Sequence, residues 1–150
     1  MPHTFASLLF HCAFSTKERR PWLTQEVRER LWPFMGGIAR KKGFVALQVG
    51  GTDDHVHLLL SLPTNVDVAK AVQLVKAESS GWVSATFPQL RDFQWQEGYG
   101  AFSVSISHKA DTVAYIANQS EHHRRKTFKE EFIEFLSRHE IEYDESRIWE

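Results

Sequence analysis

The chain is organised around one apolar run headed by two histidines, His55-Val56-His57-Leu58-Leu59-Leu60-Ser61-Leu62. Side chains in a β-strand alternate between two faces, so His55 and His57 share one face while Val56 and Leu58 share the other. Apolar residues on both faces predict a strand in the middle of a sheet. Two imidazoles on one strand face can hold a metal ion between them.

The segments before this run predict two more strands and a helix. The residues directly preceding it are a turn by composition, which predicts antiparallel pairing with a strand over residues 44–49. Residues 7–14 are apolar and aromatic and predict a first strand. Between these strands a helix is expected from the N-cap Thr24 to Gly43, and Pro33 is expected to kink or interrupt it.

The segments after the run complete the pattern. Pro63 ends the strand, and a helix is expected from the N-cap Asn65 to about Ser80. Residues 81–100 are expected to be irregular and rich in aromatic side chains, and residues 102–107 alternate as a fourth strand. The order β-α-β-β-α-β is the split βαβ of ferredoxin-like folds, so an α+β fold with an antiparallel sheet is predicted.

Two additional helices are predicted at the C-terminal end. On the first, Tyr115, Gln119 and His122 fall within about 60° of one another. The opposite, apolar face of this helix consists of Val113, Ile116, Ala117 and Ser120. The second helix begins with a capping box of Thr127 and Glu130. Its expected buried residues are Phe128, Phe132, Phe135 and Leu136.

The composition is that of an ordinary globular protein with one domain and no membrane span. The 150 residues fit one domain, 1–150, and the formal net charge of −1 differs from that of strongly basic nucleic-acid binders. Basic residues are nevertheless clustered along the chain. The only cysteine, Cys12, cannot form an intrachain disulfide, which suits the cytoplasm, and no apolar run is long enough to cross a membrane.

The residues around the two histidines predict a divalent-metal site. Asp53 and Asp54 directly precede His55, and carboxylates with imidazoles form a credible half-shell for such an ion. The alternative is that the rings form hydrogen bonds within a polar crevice and that the acids only shape the turn.

Tyr115 and Gln119 extend this prediction to chemistry. A phenol has a pKa near 10 and is a poor nucleophile until its anion is stabilised, and a nearby metal ion would do this. Gln119 offers an amide oxygen, a ligand suited to Mg²⁺ or Mn²⁺. The alternatives are a half-buried structural tyrosine and a solvated glutamine.

In this order along the chain, the motifs resemble those of the small single-tyrosine HUH transposases of bacterial insertion sequences, including the relatives associated with repetitive extragenic palindromes. The motifs that carry the resemblance are Phe14-Ser15-Thr16-Lys17-Glu18-Arg19-Arg20-Pro21, Asp54-His55-Val56-His57-Leu58-Leu59, Lys76-Ala77-Glu78-Ser79-Ser80, Trp95-Gln96-Glu97-Gly98-Tyr99, Tyr115-Ile116-Ala117-Asn118-Gln119 and Glu142-Tyr143-Asp144.

The resemblance implies a metal-dependent enzyme that cuts and rejoins single-stranded DNA. His55, His57 and Gln119 would bind Mg²⁺ or Mn²⁺, and Tyr115 would form a 5′-phosphotyrosine intermediate. An acidic residue joins the metal shell in some members, which makes Asp54 a candidate ligand.

The resemblance also implies imperfect DNA hairpins as substrate and a homodimer whose active sites are shared between subunits. Basic residues would contact phosphates, and exposed aromatic rings could stack on unpaired bases. The candidate DNA contacts are Arg19, Arg20, Lys76, Arg124 and Arg125. For at least two of Trp82, Trp95 and Tyr99, core or loop packing is expected instead.

Three other functions compete with this one. A domesticated HUH nickase would act on repeated palindromes without mobilising itself. A non-catalytic binder of single-stranded nucleic acid would use the sheet as a platform. A zinc hydrolase is disfavoured because no third histidine or cysteine ligand is evident from the sequence.

Overall fold

The structure, a computed structural model, describes residues 3–123 and 125–150. Four antiparallel strands form one sheet in the order β2-β3-β1-β4, which is the order that ferredoxin-like connectivity gives and confirms the predicted fold class. The strands are β1 Leu9–Ser15, β2 Val45–Gly51, β3 His55–Ser61 and β4 Gly100–Val104. The α-helices are α1 Gln25–Lys41, α2 Val68–Thr86, α3 Lys109–Ala117, α4 Gln119–His122 and α5 Phe128–Arg138.

The strand β3 lies inside the sheet, as the sequence predicts. It pairs with β1 on one side and β2 on the other. In this register Ala13 of β1 and Gly50 of β2 flank His57. Small neighbours on both sides leave room above the histidine for side chains from the helices.

One face of the sheet packs against α1 and α2 to form the main core. The strands contribute Cys12, Phe14, Val56, Leu58 and Leu60, all essentially without solvent exposure. Burying each large apolar side chain stabilises the fold by about 1.5–3 kcal/mol. This face is therefore the principal source of stability.

The other face lies under α3, α4 and α5. Two glycines permit the close approach: a Cβ atom on Gly50 would collide with the backbone oxygen of Ile116, and one on Gly100 would collide with the ring of Phe132. The absence of side chains at these positions lets α3 and α5 rest directly on the sheet.

Pro33 was expected to kink or interrupt α1, and the helix runs through this residue without interruption. Proline removes the hydrogen bond to the carbonyl four residues earlier, which belongs to Glu29. Both Pro33 and Glu29 are exposed, so water can bind that carbonyl. Thr24 caps this helix and Gly43 follows its end, as predicted.

The helix α2 begins and ends later than predicted. Its N-cap is Asp67 and not Asn65, because the Asp67 carboxylate accepts the Lys70 amide at 2.7 Å. It then continues through Gly81 to Thr86. Glycine costs about 1 kcal/mol in a helix, but Trp82, stacked on Phe34 at 4.5 Å, and the buried Val83 hold this last part.

The C-terminal region contains three helices where two were predicted. Asn118 separates α3 from α4, and its backbone departs from helical values with φ −101° and ψ 24°. After it Gln119 is buried, whereas Ala117 and Ser120 on the predicted apolar face are exposed. The capping box of α5 forms as predicted. Phe135, expected to be buried, is half-buried.

Among the described residues, helices long and apolar enough to cross a membrane are absent.

Candidate metal and nucleophile site

Both β3 histidines are fully buried, and each ring is held by contacts at its own Nδ1 atom. The Nδ1 atom of His55 lies 2.8 Å from Asp54 Oδ1 and 3.0 Å from Thr52 Oγ1. The Nδ1 atom of His57 lies 2.7 Å from Nε2 of His11 on the neighbouring strand. Bonds at Nδ1 fix each ring and leave Nε2 as the ligating atom, as in many metal sites.

The Nε2 atoms face possible metal ligands on α4, on α5 and in the segment between them. His55 Nε2 lies 3.0 Å from Gln119 Oε1, and His57 Nε2 lies 2.8 Å from Glu131 Oε1. His123 Nε2 lies 3.3 Å from the same Glu131 oxygen. One ligand atom each from His55, His57, His123 and Glu131 lies within 4.8 Å of all the others, so these residues could hold a metal ion.

The predicted nucleophile lies beside this cluster within the same chain. The Tyr115 hydroxyl donates a hydrogen bond to Glu131 Oε2 and lies 3.3 Å from His122 Nε2. The Tyr115 and His57 rings are perpendicular, with centroids 5.8 Å apart. Glu131 thus contacts the hydroxyl through one oxygen and His57 through the other.

Burial sets the charge states of this cluster. It lowers the pKa of His57 well below its usual value, and it lowers the pKa of His11 to about 4. Burial, reinforced by His55, also lowers the pKa of His123 to about 4. Burial raises the pKa of Glu131 to about 8. Neutral imidazoles are the metal-binding form, and a cation would offset the cost of a buried carboxylate.

The two aspartates of the preceding turn have different positions. Asp54 contacts His55 at Nδ1, on the side of the ring away from Nε2, so it orients the histidine here; its role as a metal ligand stays a prediction. The backbone carbonyl of Asp53 accepts the amide of Leu23 at 2.9 Å, and that of Asp54 accepts the amide of Thr16 at 2.9 Å. These bonds attach the turn to the segment after β1.

Lys76, a predicted phosphate contact, is occupied by the protein in this structure. Its Nζ atom donates to the carbonyls of Gln96, Glu97 and Gly98 at 2.6, 2.9 and 2.9 Å. Burial lowers the pKa of this amine to about 8. Lys76 therefore holds the loop before β4, and its contact with DNA stays a prediction.

The predicted DNA-contacting arginines lie at two places. The Arg19 guanidinium lies over the Trp149 ring, 4.9 Å from its centroid, and Arg20 is exposed and paired with Glu18 at 3.2 Å. Arg125 lines an open cleft of about 770 Å³ together with Tyr115. Arg124 lies outside the described residues.

Two of the three aromatic residues considered for base stacking serve packing, as expected. Trp82 stacks on Phe34, and the buried Trp95 donates from its indole nitrogen to Ser79 at 2.9 Å. Tyr99 keeps 38% of its surface exposed.

Sequence reasoning missed Glu131, His123 and His11. A usable signal existed for Glu131, because it lies three residues after Phe128 and four before Phe135. It therefore interrupts the apolar stripe of α5 with a charge. A signal also existed for His11, because it lies on the same face of β1 as Ala13, the residue that pairs with His57.

Comparisons with known proteins find relatives that cover most of this chain. The family model described as "Transposase IS200 like" matches residues 4–119. The ISDra2 transposase TnpA of Deinococcus radiodurans is 28% identical over 117 residues, covering 75% of this chain and 84% of that protein. The transposase for insertion sequence element IS200 of Salmonella typhimurium is 27% identical over 127 residues, covering 81% and 82%.

Solved structures show the same fold. One from Deinococcus radiodurans R1, assigned as a transposase, superimposes with a TM-score of 0.66 at 27% identity, covering 79% of this chain and 95% of that one. A REP-associated tyrosine transposase bound to a REP hairpin superimposes with a TM-score of 0.59, covering 82% and 73%. At 15% identity the second supports the fold alone.

Proposed function

The chain belongs to the IS200-like transposase family of enzymes that act on DNA, and from that premise we propose that it cuts and rejoins single-stranded DNA with Tyr115 as nucleophile. One observation carries the proposal: the Tyr115 hydroxyl and the Nε2 atom of His57 contact the two oxygens of the same buried carboxylate. A tyrosine with only a packing role would not require its hydroxyl beside a cluster of metal-binding side chains.

The proposed metal ligands are His55, His57 and Gln119, whose imidazole and amide donors fit a divalent ion such as Mg²⁺ or Mn²⁺. When bound, such an ion neutralises charge on the phosphoryl oxygens and favours the anions of attack and departure. The protein's own contribution is to hold the two rings through Nδ1 and to bring Gln119 within 3.0 Å of His55.

In the proposed cleavage, the phenol oxygen of Tyr115 forms a bond to phosphorus and the bond from phosphorus to the 3′ oxygen breaks. The released strand ends in a 3′ hydroxyl, which receives the proton that the phenol loses. Glu131 Oε2, the acceptor of the phenol's hydrogen bond, is placed to take that proton first. The phosphotyrosine bond conserves the energy of the broken linkage, so a 3′ hydroxyl can attack it and rejoin strands.

The proposed substrate is DNA with imperfect hairpins. A structural relative is described as bound to a REP hairpin, which supports this substrate class by analogy. Tyr115 and Arg125 line one open cleft, through which we propose that a DNA phosphate approaches the hydroxyl. We expect tighter binding to hairpin-bearing single strands than to random duplex, with affinity falling as salt rises.

End-labelled hairpin DNA tests the proposal. A 5′-phosphotyrosine retains the fragment on the 3′ side of the cut, so a 3′ label should move with the denatured protein while a 5′ label should leave on a free fragment. Mass spectrometry should place the adduct on Tyr115. Tyr115→Phe should bind the hairpin as wild type does and form no adduct.

Each other outcome of this experiment supports a different nucleophile or a different function. An adduct on Tyr99 or Tyr143 would show that another tyrosine attacks. Binding without any adduct from wild type would favour a non-catalytic binder. Cleavage confined to palindromes scattered through a genome, without inverted ends flanking the gene, would identify a domesticated nickase.

For assembly we propose a homodimer with shared active sites, which rests on the family resemblance. In this chain Tyr115 contacts its own histidine cluster, so sharing requires α3 to move away from that cluster. The connector expected over residues 108–111 lies mostly within α3. Mixing His55→Ala/His57→Ala protein with Tyr115→Phe protein should restore part of the cleavage through composite sites. Heterodimers that form and stay inactive would show that each subunit uses its own tyrosine.

A further inference from the structure

The helix α5 carries a buried acid that the family motifs do not explain. Glu131 is 1% exposed and lies on the apolar side of α5, next to Phe128 and Phe132. The matched family region ends at residue 119. Burying a carboxylate is costly unless it is paired or coordinates a metal.

The groups that approach this carboxylate are themselves metal-binding side chains. Within residues 3–123 and 125–150, its partners at ion-pair distance are histidines: His55, His57, His122 and His123. Lysine or arginine would supply a permanent charge, whereas imidazole supplies a ligand atom for a cation. The surroundings of Glu131 therefore fit a metal centre better than a structural ion pair.

The distances fit a shared ion. Glu131 Oε1 lies 2.8, 3.3 and 3.9 Å from the Nε2 atoms of His57, His123 and His55. With bonds of about 2.1 Å to a central ion, adjacent ligand atoms lie about 3 Å apart and opposite ones about 4 Å. The three distances from the carboxylate oxygen to the imidazole nitrogens cover this range, and the four residues come from three separate parts of the chain.

We propose that Glu131 and His123 complete the metal centre of this chain, and that Glu131 Oε2 holds the Tyr115 hydroxyl beside it. The inference rests on the proposed function for His55 and His57 and adds two ligands from beyond the matched family region. It also adds the third histidine that the sequence alone did not reveal. Glu131 thereby links the ion to the nucleophile.

Mn²⁺ binding, followed by the loss of the electron paramagnetic resonance signal of the free ion, tests the proposal without any cleavage assay. Glu131→Gln keeps the size of the side chain and removes its charge, and it should weaken Mn²⁺ affinity at least about 10-fold. His123→Ala should weaken it by a similar factor. Glu131→Asp should restore part of what Glu131→Gln loses, because it returns a carboxylate.

The matched control is Glu134→Gln on the same helix. The Glu134 side chain is half exposed and pairs with Lys126 at 2.6 Å, so its removal should leave Mn²⁺ affinity unchanged. Circular dichroism should show whether each variant is folded. If Glu131→Gln does not fold, the Mn²⁺ affinity of Glu131→Asp tests the same ligand.

Two results separate the failure of this inference from the failure of the proposed function. If His55→Ala/His57→Ala loses Mn²⁺ while Glu131→Gln and His123→Ala bind within about twofold of wild type, the histidine site stands and the added ligands are wrong. If wild type binds no Mn²⁺, or the double histidine variant binds it equally well, the metal centre itself is wrong and both proposals fall.

Discussion

The two faces of the sheet are built from the same strands but differ in their buried side chains, because one face is apolar and the other combines apolar with polar side chains. The face against α1 and α2 is apolar, and its Val56, Leu58 and Leu60 alternate along β3 with the residues of the other face. The face against α3, α4 and α5 buries His55 and His57 together with polar groups from the helices. Neighbouring residues of β3 therefore face opposite sides of the sheet, so that Val56 lies in the main core while His55 and His57 lie in the candidate site.

The face against α3, α4 and α5, named the polar face here for its buried histidines, pairs its buried polar groups. Among the described residues, every buried side-chain nitrogen or oxygen atom has a hydrogen-bond partner. An unpaired buried polar group costs about 1–3 kcal/mol, so the network must form as a unit. We therefore expect changes on the apolar face to lower mainly stability, and changes on the polar face to lower activity together with some stability.

The largest expected effect is on the polar face. His55→Ala/His57→Ala should reduce Mg²⁺- or Mn²⁺-dependent cleavage at least about 1,000-fold, because both β3 ligands are lost. Circular dichroism should still show a folded protein, since the apolar face is unchanged. Full cleavage by the double variant would end the proposed role of these histidines.

On the apolar face, Leu58→Ala should lower the free energy of unfolding by about 2–5 kcal/mol, since it leaves a cavity in the main core. The fraction that remains folded should cleave DNA at close to the normal rate. Urea unfolding measures the first effect, and cleavage per folded molecule measures the second. Val45→Ala on β2, where half of the side chain is exposed, is the control and should cost far less. A Leu58→Ala protein that is folded but does not cleave DNA would contradict the expectation that the apolar face acts mainly on stability.

A third change tests how closely the polar face is covered. Gly50→Ala places a methyl group against the backbone oxygen of Ile116, so it should cost about 1–3 kcal/mol of stability through overpacking. It should also slow cleavage, because α3 carries Tyr115. Gly37→Ala, in α1 where a Cβ meets nothing within 4 Å, should instead stabilise by about 0.5–1 kcal/mol. Thermal unfolding of the two variants would show whether they differ in sign as expected.

The smallest expected effect lies at the rim of the polar face. Arg125→Ala should weaken binding to hairpin DNA modestly and reduce the slope of log affinity against log salt by about 1, as expected for one lost phosphate contact. Arg91→Ala, on an exposed residue after α2, provides a comparison outside the cleft. Equal slopes for both variants and wild type would contradict a contact between Arg125 and a DNA phosphate.

The sequence predicted most of the fold because alternation and capping are local signals. The period of β3 set its faces and its central position, and the pair Thr127 and Glu130 marked the start of α5. The errors also have local causes. Asn65 and Asp67 are both good N-caps, and only packing by Trp82 and Val83 carries α2 past Gly81.

By itself, the sequence determined that His55 and His57 share a strand face, because periodicity fixes relations between near neighbours. The same periodicity predicted Tyr115 and Gln119 on one helix, but Asn118 divides them between α3 and α4. The tertiary structure decided which distant groups meet them. Glu131 is separated from His57 by 74 residues, and no local period connects an acid on α5 with a histidine on β3. Their meeting depends on α3 and α5 lying on the sheet at Gly50 and Gly100, because only three-dimensional packing sets distances between separate elements.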